Sequence, residues 1–150
     1  MSGDITLYEP GSRLDVMVEA GAGGEVPQRG DAVEIVSASG QTVHVAPLTD
    51  PANFVGPLAR TPTDYDETEA YEQGDVVDES ALRLRHAVDW LTAEDASALD
   101  PGQLVVADAD GVRAYDSAAG DEPHEIVGPV WTPYGNASGT ADKVAVVRQR

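Results

Sequence analysis

The side chains able to do chemistry in this chain are three histidines and 27 carboxylates, with no cysteine. His44, His86 and His124 stand far apart in the sequence, none at a spacing that gathers metal ligands on one helix or loop. Nucleophile elbow, phosphate-binding glycine loop, dinucleotide fingerprint and HExxH are all missing. Asp108-Ala109-Asp110-Gly111 begins like a calcium loop, but the later ligands and the closing Glu do not follow at the required spacing. An Asp-Gly hairpin turn is the simpler reading. Asp64-Tyr65-Asp66-Glu67-Thr68-Glu69 reads as a solvated loop that could hold cations loosely at high salt, and Asn136-Ala137-Ser138 matches a glycosylation acceptor within a polar turn. Acids so evenly spread single out no carboxylate pair for glycoside hydrolysis. The expectation is a protein that is not an enzyme, with no catalytic residue, no metal and no cofactor.

The acidity itself carries information. A formal net charge of -18 comes from 27 acids against nine basic residues, of which only Lys143 is lysine. The acids are interleaved with Val-rich alternating segments, which argues against a disordered acidic tail. Adaptation to molar salt explains the composition better. There the Debye length falls to about 3 Å, and self-repulsion fades while carboxylates still hold water and cations. Arg in place of Lys, small apolar residues and an excess of Asp over Glu are similar to proteins of extreme halophiles, haloarchaea above all. Nucleic-acid binding is disfavoured, because neutralising phosphates needs clustered Lys or Arg, and neither Arg83 with Arg85 nor Arg148 with Arg150 makes such a patch. With no signal-peptide pattern near Met1 and no apolar run of about 20 residues, the expectation is a product made in the cytoplasm with no membrane partner.

The elements that must position these residues are short strands. Leu14, Val16 and Val18 alternate with Asp15, Met17 and Glu19, the pattern of a half-buried strand. Ala32 to Val36 and Gln41 to Ala46 flank Gly40 as a hairpin, and Leu104 to Ala107 and Val112 to Tyr115 flank Asp108 to Gly111 as another. Phe54 to Leu58 predicts a short strand ended by Gly-Pro. Leu82 to Leu91 satisfies both strand and helix spacing and is assigned to a strand, in which Trp90 falls on the core face. Glu94 to Leu99 makes one helical turn, and Val144 to Val147 a last strand.

Much of this happens twice. Gly30, Val33, Val36, Gly40, His44 and Phe54-Val55-Gly56-Pro57 lead to Thr61-Pro62; Gly102, Val105, Gly111, His124 and Ile126-Val127-Gly128-Pro129 lead to Thr132-Pro133. Val16 precedes Gly30 by the interval at which Val88 precedes Gly102. Arg13 to Pro62 and Arg85 to Pro133 are therefore taken as tandem copies of one unit. The fold expected is all-β: two tandem related small β-sandwich or barrel-like units with Gly/Pro-rich turns. The organisation is a first β unit at 1–62, an acidic linker or loop at 63–73, a second β unit at 74–133 opening on Gly74-Asp75-Val76-Val77, and a C-terminal arm or strand at 134–150.

The Gly-Asp/Gln-x-Val openings, the Asp-Gly hairpin and the closing Val-Gly-Pro segment resemble head-decoration (capsid cement) proteins of tailed viruses, best between Gly74 and Thr132. With the halophile composition, the resemblance implies a haloarchaeal tailed virus. It also implies a structural virion protein on the capsid exterior, binding the major capsid protein and itself, as a trimer, with no catalytic residue to carry over. The expected contacts are Trp131, as an aromatic anchor, and two arms. One arm is Met1 to Pro10; the other is Asp142 to Arg150, whose Lys143, Arg148 and Arg150 would face an acidic capsid. The alternatives are a cytoplasmic haloarchaeal β-barrel binding or regulatory module, or another virion part such as a tail tube or turret.

Overall fold

The computed structural model describes residues 15–63, 68–78, 81–82, 88–134 and 143–150. The Met1 to Pro10 arm, His86, the Arg83 and Arg85 pair, most of the Asp64 to Glu69 run and Asn136-Ala137-Ser138 lie outside the described residues.

The chain is all-β, with two sheets of five strands each and no helix longer than a single 3-10 turn among the described residues. The first sheet contains β1 (Asp15–Val18), β2 (Ala32–Ser39), β3 (Thr42–Pro47), β4 (Gly56–Pro57) and β5 (Val76–Asp78), in the order β4-β2-β3-β1-β5. The second contains β6 (Val88–Thr92), β7 (Leu104–Asp108), β8 (Gly111–Ala114), β9 (Ile126–Tyr134) and β10 (Lys143–Val147), in the order β6-β10-β9-β7-β8. In each sheet the two end strands meet again. Leu58 bridges Leu82 beyond β4 and β5, and Ala93 bridges Val112 between the end of β6 and β8. Both sheets therefore curl toward small closed barrels, the arrangement that leaves the fewest open edges.

The wiring is the same in both. Naming the strands of each unit first to fifth, the fourth pairs the second, the second the third, and the fifth the first, all antiparallel; the third meets the first in parallel. Contact between the fifth and the fourth then completes the ring in both. Individual bonds repeat at the offset of Gly30 to Gly102. Gly30 N–H donates to Leu58 O as Gly102 N–H donates to Val130 O, both at 2.7 Å. Val33 faces Gly56 as Val105 faces Gly128. The turn Pro51–Asn53 leads into Phe54 as Pro123–Glu125 leads into Ile126.

One boundary differs from expectation. Gly74-Asp75-Val76-Val77 does not open the second unit: Val76–Asp78 pairs antiparallel with β1 as the fifth strand of the first barrel. The sequence similarity has a local cause. Gly30, Gly74 and Gly102 each have φ near +90° and precede Asp31, Asp75 and Gln103. Each of these three side chains accepts from the N–H three residues back, at 2.8, 2.9 and 3.1 Å. Positive φ at the third turn position favours glycine, and the side chain closes the turn before a strand starts. The motif marks a turn and occurs three times in two units.

Small aliphatic side chains fill the narrow barrel interiors. Val16, Val18, Val33, Val45, Leu58 and Val77 form the first core. Leu91, Val105, Val112, Val127, Val144 and Val146 form the second, joined by Ala32, Leu48 and Phe54 from the first unit. Burying each Val or Leu is worth roughly 1.5–3 kcal/mol. The shared cluster makes the two barrels one packed body.

Candidate interaction surface

The three cations expected on a C-terminal arm are turned inward, onto the seam between the barrels. Arg148 has a fully buried side chain, pairs with Asp89 at 2.8 Å and lies 5.0 Å from the centroid of the Phe54 ring. Its Nε donates to Arg150 O at 2.7 Å. The Arg150 guanidinium donates to Ala52 O at 3.1 Å and to His124 O at 3.0 Å, carbonyls of the two equivalent 3-10 turns. Lys143 Nζ donates to Arg29 O at 2.7 Å, and burial pushes its pKa below the ordinary lysine value. Beside it Thr92 donates through Oγ1 to Asp31 and through N–H to Gly30 O, both at 2.8 Å. Residues 143–150 are thus a barrel strand and a clasp, and Arg148 does not reach solvent.

Other ion pairs among the described residues also join groups within the chain. Arg113 donates to Asp121 at 2.7 and 2.9 Å and to Asp108 at 3.2 Å, and Arg60 pairs with Asp78 at 2.9 Å. The hydrogen bond from Arg113 holds the Asp121 carboxyl below the usual range, aided by the Asp116 N–H and opposed by burial, and Asp121 raises Arg113 in turn. Asp50, Asp95 and Asp116 each cap a 3-10 turn by accepting from the N–H two residues on. Asp108-Ala109-Asp110-Gly111 is the β7–β8 hairpin turn, its Asp108 carboxylate taken by Ala109 N–H and Arg113. His44 contacts Glu19 at 2.8 Å, and hydrogen bonds from Gln73 and then His44 lower the Glu19 pKa. His124 lies in an exposed turn, 3.2 Å from Glu122. The two histidines are not counterparts, since at the repeat offset His124 matches Ala52.

One face of the second barrel offers a partner apolar side chains. Trp131 is 65% exposed, Trp90 47%, Leu104 39% and Val88 37%. Register explains the grouping. Trp90 on β6 lies opposite Ala145 on β10, which in turn lies opposite Thr132 on β9, and Trp131 occupies the bulge after that pair. Val88 lies opposite Val147, and Leu104 opposite Pro129. Two strand spacings put β6 and β9 about 10 Å apart, with the small Ala145 between the strands that bear the two indoles.

Trp131, the expected anchor, is exposed, and Trp90 is not the core residue its alternation implied. The physical reason is one of parity. Asp89, 4% exposed, takes the inward position on β6 to meet Arg148, so its neighbour Trp90 points out. Asp89 and Arg148 are far apart in sequence, so this signal was not local.

No known family model, curated protein or solved structure matches the chain.

Proposed function

We propose that the protein is a structural virion component that decorates and stabilises the capsid exterior of a haloarchaeal tailed virus, binding the major capsid protein and copies of itself. The exposed indole face of the second barrel is the observation that carries this reading. Exposed contiguous apolar surface on a rigid sheet is what a protein interface uses, and Trp is the residue type most enriched at its energetic centre. The cations at the seam are meanwhile engaged within the chain, so the adhesive is apolar contact. That choice suits molar salt, where charge pairs are screened and apolar association persists. The three-fold self-association in this proposal comes from the family resemblance.

Light scattering in molar salt, on the protein alone and mixed with capsids of a haloarchaeal tailed virus, tests the proposal. Association at fixed stoichiometry, lost in Trp131→Ala and weakened in Trp90→Ala, is the expected result. A protein that ignores capsids and stays monomeric would return the assignment to a cellular binding module.

A further inference from the structure

The seam between the barrels is closed once, although each of its two halves occurs twice in the chain. On the first barrel its half lies at the start of β2 and beside β4, where Gly30, Phe54 and Pro57 are buried and Ala32 is 8% exposed. At the repeat offset their counterparts on the second barrel are Gly102, Ile126, Pro129 and Leu104. None of these four is buried, and Leu104 is 39% exposed. A Cβ on Gly30 would run into Lys143 and Thr92, whereas one on Gly102 would meet open space. The other half of the seam is that Thr92 and Lys143, paired across β6 and β10 and bonded to Asp31, Gly30 and Arg29. Hydrogen bonding identifies their counterparts on the first barrel. Glu19 N–H donates to Val45 O beyond the Val18 pair, as Glu94 N–H donates to Val112 O beyond the Ala93 bridge. Two residues before these glutamates stand Met17 and Thr92, and across from them Val76 and Lys143. Met17 is half-buried and Val76 is 51% exposed.

We propose that copies of the chain close these open halves head to tail: Gly102 to Leu104 of one molecule seats on Met17 and Val76 of the next, as Gly30 to Ala32 seats on Thr92 and Lys143 within each chain. The chemistry of the two open halves matches. Where the closed seam places Asp31, Thr92 and Lys143, the open one places Gln103, Met17 and Val76, so uncharged groups replace charged ones on both sides together. Apolar side chains then meet Leu104, a contact that persists in molar salt. Acidity does not oppose it. No Asp, Glu, Lys or Arg occurs from Pro101 to Ala107 or from Ile126 to Tyr134, so the acids flanking Met17 and Val76 face no like charge across the contact. The contact is heterologous, and its propagation follows from the relation between the barrels. An atom and its equivalent are separated by at least the translation along the axis relating two units. Ala52 O and His124 O are equivalents and share the Arg150 guanidinium, so that translation is short. Repeating such a rotation curls successive copies toward a closed ring. The inference gives the self-association of the capsid reading its surfaces and rests on that reading only for its use.

Sedimentation of the full chain in molar KCl, over about 10 μM to 1 mM, tests it. Wild type should pass from one copy to an assembly of fixed mass. Val76→Glu and Leu104→Glu each put a carboxylate into an apolar contact, and each alone should stay monomeric. Their equimolar mixture should form a two-chain species and stop there, because each variant keeps the half that the other has lost. That rescue also shows both variants to be folded. Because the chain has no cysteine, Met17→Cys and Gln103→Cys give a second readout, at the counterparts of the bonded pair Thr92 and Asp31. Mixed and mildly oxidised, they should link to each other in preference to themselves. If either Glu variant fails to fold by circular dichroism, the cysteine pair decides. A wild type that stays monomeric, or cysteines that pair without preference, would overturn the proposal. Assembly and rescue by a protein that ignores capsids would support the seam and sink the capsid reading; capsid binding by a protein that never self-associates would do the reverse.

Discussion

Arg148 shows how far one residue's role can lie from its sequence neighbourhood. In sequence it belongs to a short basic ending, and its acceptors Asp89 and Val55 O are distant in the chain. No local pattern announces that a cation will be buried; only folding brings the carboxylate to it. Removing one member of a buried pair strands the other charge, so Arg148→Ala should lose roughly 3–5 kcal/mol of stability and Asp89→Ala a similar amount, with the double variant well short of the sum. Guanidinium denaturation at constant salt measures this. Asp121 gives a pH dependence of defined sign. Its folded pKa is depressed, chiefly by the hydrogen bond from Arg113, so its stabilisation is complete above the unfolded carboxyl value of about 3.9 and is lost as pH falls through the lower folded value. Asp121→Asn should therefore be less stable than wild type near neutrality, and the gap should close in acid. A constant gap from pH 7 to pH 2 would exclude the ion pair as its source.

At the level of elements the sequence was legible wherever the signal was local. Both hairpins, the last strand and the single turn after Glu94 stand where alternation and Gly placed them. The repeat was legible because backbone conformation fixes residue type at certain positions. Gly56 and Gly128 have φ of +157° and +153°, and each faces the counterpart valine, Val33 or Val105. Ring closure was not legible: a parallel contact between the first and third strands leaves no mark in either segment. That closure still sets measurable constraints on single glycines. A Cβ on Gly128 would overlap the carbonyl of Val147 on β10, whereas one on Gly102, at φ +85°, would meet open space. Gly128→Ala should cost roughly 3 kcal/mol or more, combining overlap and backbone strain, and Gly102→Ala about 1–2 kcal/mol from strain alone. Thermal melts of the two variants in the same molar buffer provide the comparison.

For the whole molecule, charge and packing act in opposition. A shared core with a clasp of Arg148, Arg150 and Lys143 holds two acidic barrels together against a net charge of -18. Screening decides which prevails, so circular dichroism should show the fold lost in dilute buffer and restored in molar KCl. An unchanged spectrum in dilute buffer would remove the halophile argument. Trp131→Ala should leave that salt midpoint where it is, within about 0.5 kcal/mol, because its ring is mostly in solvent. The clasp also gives the molecule a reporter of its own. Lys143 is the single lysine, and its amine is engaged with a carbonyl of the opposite barrel. An acylating reagent reaches that side chain more readily when Nζ leaves Arg29 O, so a rise in the rate of labelling at Lys143 reports opening of the seam. As salt is withdrawn, the rate should climb before the spectrum changes, showing the barrels parting while each is still folded.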